Sequence, residues 1–196
     1  MSLSSRPGGR RPAQEPPTTG AAAEDVEPPG EEVARAILLR QLAAAPRSRA
    51  QLAEKLAAKD VPAEIAERLL DRFEEVGLVD DAAYAEMLVR TRHAERGLAR
   101  RALTHELRRK GVTPEVAAQA LEQIDDDDEL AAARDLAVRK ARASRGLDRD
   151  KRRRRLAGML ARKGYSPGVA MRAVDEALAA DGEDPGGIGS LGDDPA

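Results

Sequence analysis

The fold of this chain is decided by a segment of fifteen residues that occurs twice. Residues 107–121 are LRRKGVTPEVAAQAL, and residues 160–174 are LARKGYSPGVAMRAV. Each copy begins with a leucine, with a second leucine four residues before it (Leu103 and Leu156), and continues with a Lys-Gly pair and then a hydroxyl residue followed by proline. Residues four apart share a helix face, a glycine after a basic turn is typical of a helix end, and a hydroxyl residue before proline is typical of a helix start. Each copy therefore predicts a helix, a tight turn and a second helix.

A third and weaker copy lies upstream when Lys59, Lys110 and Lys163 are placed in register. The separations are 51 and 53 residues, and the two leucines coincide in all three copies. The first copy departs from the others because it has Asp60 in place of glycine and Pro62 at the capping position. Aspartate tolerates the left-handed conformation better than most residues, so we expect the turn to persist there. A fixed period of about fifty residues is typical of a tandem array.

One further helix precedes each copy. Apolar residues recur at helical spacing in residues 31–45, 80–96 and 128–144. Each unit is therefore predicted to contain three helices. We predict an all-α fold of nine helices, an elongated tandem array of three three-helix repeats whose neighbours bury one another's apolar stripes. The predicted repeats span residues 31–80, 81–127 and 128–180.

The composition is typical of a helical protein with unstructured ends. Apolar residues make up 41% of the chain and charged residues 35%, whereas aromatic residues make up 2%. Alanine, leucine, arginine and glutamate favour helices, and strand-forming residues are scarce. We predict that residues 1–30 and the acidic residues 181–196 are disordered tails, because neither segment has enough apolar side chains to offset the entropy of ordering.

Several classes of function lack their sequence signals. No apolar run approaches the roughly 20 residues that cross a membrane, and the N-terminus lacks the apolar core of a signal peptide, so a cytoplasmic location is expected. The chain has no cysteine and no phosphate-loop, dinucleotide-binding or hydrolase motif. The acidic residues 125–129 diverge on a turn, and His93 and His105 have no third ligand nearby. We predict no enzyme, no catalytic residue, no cofactor and no metal site.

The formal net charge of −2 hides an uneven distribution of charge. Residues 134–163 hold thirteen basic and three acidic residues, whereas residues 111–133 hold seven acidic residues and no basic one. On the predicted helices 98–110 and 148–163 many of the basic residues point away from the leucines. We define the candidate binding surface, called the basic face, by Arg90, Arg92, Arg101, Arg108, Arg109, Arg139, Lys140, Arg142, Lys151, Arg154, Arg155 and Arg162.

The basic face belongs to the second and third repeats alone. Arg101 and Arg154 coincide in the register, and the first repeat has Ala50 at that position. Two interpretations remain open: solvated helix faces, or a surface for polyanions or an acidic protein groove, whose phosphate contacts would depend strongly on salt. Aromatic platforms for stacking single-stranded bases are nearly absent. This scarcity favours a protein filament, with or without its bound DNA, over a dedicated single-strand binder.

Two longer segments carry a resemblance to a known family. Residues 96–125, RGLARRALTHELRRKGVTPEVAAQALEQID, resemble the central motif of the RecX family, in which a glycine turn and a basic helix precede Lys-Gly and a second helix. Residues 69–92, LLDRFEEVGLVDDAAYAEMLVRTR, resemble the segment before it, where an Asp-Asp turn precedes a helix with a tyrosine, here Tyr84. The resemblance covers about residues 31–180, and Asp60 is a departure from it.

The resemblance implies a regulator without catalytic residues. RecX proteins are bacterial modulators of the recombinase RecA; they consist of three tandem three-helix repeats, lodge along the groove of the RecA nucleoprotein filament, and inhibit ATP hydrolysis and strand exchange. The implied roles are therefore in DNA repair, homologous recombination and the SOS response. The implied partners are the RecA filament and, weakly and without sequence preference, DNA. A capped array of three units is expected to be a monomer.

A helix–turn–helix transcription regulator is the alternative. Residues 47–79 resemble a DNA-reading unit, with a helix, a short turn and a second helix that would lie in the major groove. That second helix, predicted at residues 63–76, is rich in acidic residues. It is therefore poorly suited to a phosphate-lined groove, and the recurrence of the unit favours an array.

Overall fold

A computed structural model describes residues 30–181 of the chain. Apart from Gly30 and Asp181, the two predicted tails lie outside the described residues. The described part is helical throughout and contains no strand. Its α-helices are α1 (Glu31–Ala44), α2 (Arg49–Ala57), α3 (Ala63–Glu75), α4 (Asp81–Arg96), α5 (Arg100–Arg109), α6 (Pro114–Leu121), α7 (Asp126–Ala141), α8 (Arg149–Arg162) and α9 (Pro167–Ala180). A single 3₁₀ turn, Arg142–Ser144, follows α7.

The helices group in threes, and each group has its own hydrophobic core. Leu52 and Leu56 of α2 pack with α1 and α3, and both side chains are fully buried. The matching pairs occupy the centres of the next two cores; these are Leu103 and Leu107 in the second repeat and Leu156 and Leu160 in the third. The prediction of an elongated all-α tandem array of three three-helix repeats is confirmed for residues 30–181.

The predicted turns have the expected local geometry. Thr113 and Ser166 accept hydrogen bonds from the backbone amides of Val116 and Val169, and a proline begins each of the helices that follow. In the first repeat Pro62 occupies the capping position without a side-chain bond, and α3 begins at Ala63. The helix end before each turn closes through a residue with positive φ; these are Asp60 at 57°, Gly111 at 76° and Gly164 at 93°.

The same turns also join the repeats. The carbonyl oxygen of Lys110 accepts a hydrogen bond from Ser48 Oγ, which caps α2 in the preceding repeat. The carbonyl oxygen of Lys163 accepts one from the backbone amide of Ala99, which caps α5, at 3.0 Å. Each Lys-Gly turn therefore docks against the start of the middle helix one repeat earlier, so the doubled segment is both a turn and a joint.

A carboxylate reinforces each joint from the other side. Asp81 in the first turn of α4 accepts a hydrogen bond from the backbone amide of Arg49 at 2.8 Å. Glu129 in α7 accepts one from the backbone amide of Arg100 at 3.0 Å. Both carboxylates satisfy amides that are unpaired at a helix N-terminus and lie at its positive end.

The third repeat closes the array differently. Its middle helix α8 has 14 residues, whereas α2 has 9 and α5 has 10. In the Lys register the extra turn places Arg152 where the earlier repeats have Ser48 and Ala99. The Arg152 side chain is buried, with 2% of its surface exposed, and it donates hydrogen bonds to Ser144 Oγ, to the carbonyl of Ala141 and to Asp181. The docking position of a further repeat is thus filled from within the chain.

Candidate binding surface

The structure leaves most of the basic face open to solvent. Eleven of its twelve residues are exposed: Arg90, Arg101, Arg108, Arg109, Arg139, Lys140, Arg142, Lys151, Arg154, Arg155 and Arg162. Arg92 is the exception, because its guanidinium donates to the buried Glu106 at 2.9 Å and its side chain is 28% exposed. Arg92 therefore stabilises the packing of α4 on α5, and it is the one member of the basic face that pairs with a carboxylate of the described residues.

The eleven exposed cations differ in their partners from the arginines that form ion pairs. Within residues 30–181 none of the eleven forms an ion pair with a carboxylate. Outside the basic face, Arg49 pairs with three carboxylates of α3, Arg134 with Glu176 and Arg153 with Asp175. The described carboxylates that form ion pairs are thus bound elsewhere, and the eleven exposed cations have no carboxylate partner among the described residues.

Part of the positive charge gathers at the joint between the second and third repeats. Lys163 donates a hydrogen bond to the carbonyl of Arg96, at the end of α4. Burial lowers the pKa of the Lys163 amine, and the nearby positive charges of Arg96, Lys140 and Arg139 lower it further. Cations from α4, α7 and the end of α8 therefore converge at one place, a cluster that we call the joint cluster.

Two members of the joint cluster were not predicted. Arg96 is the last residue of α4, and Lys163 follows the last residue of α8. Lys163 could have been identified from the sequence because a lysine recurs at the same position beside each turn, and two of these turns dock on the previous repeat. Only the packing of three separate helices shows that both residues lie beside Arg139 and Lys140.

A cleft borders the joint cluster. It lies between α4 and α7, has a volume of about 430 Å³ and is lined by Arg90 and Arg139 among others. Asp128 and Asp135 also line it, so its charge is mixed. An extended backbone carrying phosphates fits the open cationic surface better than it fits this cleft.

The first repeat lacks a cation at one position of the basic face. Ala50 stands where Arg101 and Arg154 stand in the later repeats, and a Cβ at Gly111 would lie 2.1 Å from the Cβ of Ala50. At the second joint the docked turn lies against Ala102 instead, and Arg101 is exposed. The outer side of α3 carries exposed carboxylates, among them Glu64, Glu67 and Glu75. The helix that a transcription regulator would place in the major groove therefore presents negative charge.

Within residues 30–181, His93 and the acidic run 125–129 have structural roles. Within residues 30–181 no group of three or more histidine, aspartate or glutamate side chains is arranged to hold a metal ion. His93 Nδ1 lies 2.9 Å from the carbonyl oxygen of Leu98 and so contacts the turn that follows α4. The acidic residues 125–129 start a helix, since Asp125 caps α7 and forms a reciprocal capping box with Asp128. No helix among the described residues has the length and apolarity to cross a membrane.

Comparison with known proteins matches all three repeats to one family. Its models, described as the first, second and third three-helix domains of RecX, match residues 34–73, 80–121 and 126–174. A regulatory protein RecX of Streptomyces coelicolor is 55% identical over 177 residues, which are 89% of this chain and 94% of that protein. One of Thermobifida fusca is 50% identical over 167 residues, or 85% of this chain and 88% of that protein. A crystal structure of a regulatory protein RecX superposes with a TM-score of 0.68 at 27% identity and covers 74% of this chain and 73% of its own.

Proposed function

This chain belongs to the RecX family, and from that premise we propose that it binds RecA and its nucleoprotein filament and inhibits ATP hydrolysis and strand exchange. The protein acts without catalysis of its own, as a modulator of homologous recombination, DNA repair and the SOS response in the cytoplasm. Inhibition is steric and electrostatic. The array lies across neighbouring RecA subunits with the basic face toward acidic protein surface or DNA phosphate, and so blocks incoming duplex and filament growth.

One observation carries this proposal: eleven exposed cations in two adjacent repeats have no carboxylate partner among the described residues. Like charges held on one surface repel one another, and an anionic partner relieves that repulsion. The joint cluster concentrates the effect, because burial and neighbouring cations already lower the pKa of Lys163. Contacts of this kind are sequence-independent and weaken as salt displaces them.

The protein is expected to act as a monomer. Arg152 and the extra turn of α8 occupy the position where the next repeat of an array would dock. At the other end, the turn at Asp60 has a side chain where the docking turns have glycine. Neither end therefore presents the complementary half of the repeat joint, which opposes head-to-tail growth.

Strand exchange by RecA with substoichiometric amounts of the protein tests the proposal. We expect inhibition, together with co-sedimentation on filaments of RecA and single-stranded DNA. Undiminished exchange without co-sedimentation would rule the proposal out. A pull-down from lysate separates it from the transcription-regulator alternative, since RecA retained after nuclease treatment supports a protein partner and recovered promoter DNA supports the alternative.

Charge reversal tests the role of the basic face. Arg101→Glu, Arg154→Glu and Arg162→Glu together are expected to raise the concentration for half-inhibition about tenfold or more, because each reversal replaces attraction by repulsion. The matched control reverses three exposed cations of the first repeat that have no ion pair among the described residues, through Arg40→Glu, Lys55→Glu and Lys59→Glu. Both variants have the same net charge, so equal inhibition by the two would show that the face is wrongly assigned.

A further inference from the structure

We propose that the acidic segment after α9, residues 182–196, is an intramolecular ligand of the basic face on α8 and competes there with anionic partners. This inference rests on the proposed function in one respect, which is the identity of the natural anionic partner that competes with the segment. The contact itself concerns this chain alone, and it can be measured without RecA. The occupant is a named segment of the same molecule, and three observations on the described residues point to it.

The first observation is the position at which the segment begins. Asp181 ends α9, and its carboxylate accepts hydrogen bonds from Arg145 and, at 2.7 Å, from the buried Arg152 of α8. Only 8% of the Asp181 side chain is exposed. The chain therefore leaves α9 beside the N-terminal end of α8, with its first carboxylate already bound to cations of the third repeat.

The second observation is the charge of the two parts. Residues 182–196 contain Glu183, Asp184, Asp193 and Asp194 and no basic residue. Four exposed cations of α8 have no ion pair among residues 30–181; they are Lys151, Arg154, Arg155 and Arg162. The segment therefore supplies the carboxylates that this surface lacks, and it is tethered next to it.

The third observation is reach. The 14 residues of α8 extend about 21 Å at 1.5 Å per residue. The thirteen residues from 182 to 194 can span up to about 43 Å when extended. Glu183 and Asp184 can thus meet the cations at the start of α8, and Asp193 and Asp194 can reach Arg162 at its end.

The contact is expected to be weak in each pair and appreciable in sum. Exposed ion pairs contribute little individually and are screened by salt. Tethering raises the effective concentration of the segment to about the millimolar range, so that several weak pairs act together. A strong polyanion displaces such a ligand, whereas a weak one does not. The segment thus sets a threshold for binding at the basic face.

Paramagnetic relaxation enhancement tests the contact directly. The chain has no cysteine, so Ser190→Cys gives a single site for a nitroxide label. At low salt we expect the label to attenuate amide signals of α8 and to leave those of α2 unchanged. The attenuation should vanish at high salt and in a variant with Glu183→Gln, Asp184→Asn, Asp193→Asn and Asp194→Asn. No attenuation of α8 at low salt, or attenuation only between differently labelled molecules, would overturn the proposal.

Affinity for a single-stranded oligonucleotide tests the competition. The variant with the neutralised segment is expected to bind about threefold to tenfold more tightly at low salt, with no difference at high salt. The matched control neutralises four exposed acidic residues of the first repeat through Glu32→Gln, Glu54→Gln, Asp60→Asn and Glu64→Gln, which changes the net charge equally. An equal gain in the control would show an effect of net charge alone and would overturn the competition.

The two proposals can fail separately. Attenuation of α8 without inhibition of RecA would leave the intramolecular ligand in place and remove the proposed function. Inhibition of RecA without attenuation, and with the same potency in the neutralised variant, would leave the proposed function in place and remove the intramolecular ligand.

Discussion

Gly111 lies so close to Ala50 of the preceding repeat that a Cβ on the glycine would come within 2.1 Å of the alanine Cβ. The second joint repeats the relationship, since a Cβ at Gly164 would lie 2.7 Å from the backbone nitrogen of Ala102. Asp60 occupies the same left-handed position in the first repeat, where no earlier repeat docks. Glycine is therefore required twice for proximity as well as for conformation, whereas the matching turn of the first repeat, which docks on no earlier repeat among residues 30–181, carries the side chain of Asp60.

Gly111→Ala is expected to lower the free energy of unfolding by about 2–5 kcal/mol. Left-handed strain costs about 1–2 kcal/mol and crowding of a packed contact about 1–3 kcal/mol. Gly77→Ala is the matched control, because Gly77 has a similar φ of 70° but open space around its Cα, so only the strain should apply. Urea denaturation monitored by helicity gives both values, and equal losses in the two variants would contradict the docking role of Gly111.

The sequence predicts the helices and turns well because their causes are local. Each signal acts within about one turn of the helix: the leucine pair, the Lys-Gly helix end and the Ser/Thr-Pro helix start. The helical position of Leu107 and the turn at Gly111 can therefore be predicted from neighbouring residues. The joint between repeats is not local. Nothing near Ala50 in the sequence indicates that a glycine 61 residues later will lie against it.

The candidate surface could be predicted only in part, because the pairing of its cations depends on contacts between separate helices. A count of charges identifies an excess of cations in residues 134–163, and helix geometry turns most of them outward. Which cations are paired depends on neighbours from other helices. The pairing of Arg92 with Glu106 was not predicted, because Glu106 lies on another helix. Arg96 and Lys163 were missed because they meet Arg139 only after α4, α7 and α8 have packed.

Asp181 is expected to make the stability of the third repeat sensitive to acid. Hydrogen bonds from Arg145 and Arg152 hold the pKa of its carboxyl well below the usual range for aspartate. A depressed pKa stabilises the fold above the unfolded value of about 4 and loses that contribution as the pH falls below it. Asp181→Asn should therefore be less stable than the parent at neutral pH and should approach it in acid. Asp175→Asn, which removes an exposed partner of Arg153, is the control, and an equal pH profile in both variants would refute the expectation.

Tyr165 is expected to resist ionisation until strongly alkaline pH. Its side chain is 2% exposed and its hydroxyl donates to the carbonyl of Gly97 at 3.1 Å, across the second joint. Burial, and to a lesser extent Glu129, raises the pKa of Tyr165 to about 12. A raised tyrosine pKa favours the fold below the unfolded value of about 10, and this stability is lost as the pH rises toward 12.

Absorbance titration of the Tyr84→Phe variant isolates Tyr165, because the chain has only two tyrosines. Ionisation near pH 10 with the fold intact would contradict the burial of the hydroxyl. Tyr165→Phe should cost about 1 kcal/mol through the lost hydrogen bond and should abolish the alkaline loss of stability that this residue causes.

Lys163 is expected to report when an anion occupies the joint cluster. Its pKa is lowered by burial first and then by the positive charges of Arg96, Lys140 and Arg139. A bound phosphate chain would offset that repulsion, so the pKa of Lys163 should rise when a single-stranded oligonucleotide is added at low salt, as measured by NMR of the lysine side chain. Arg139→Gln with Lys140→Gln should raise the pKa without any ligand, which shows that the repulsion is the cause. If the oligonucleotide binds and the pKa of Lys163 does not change, the anion binds elsewhere and the joint cluster is not its binding site.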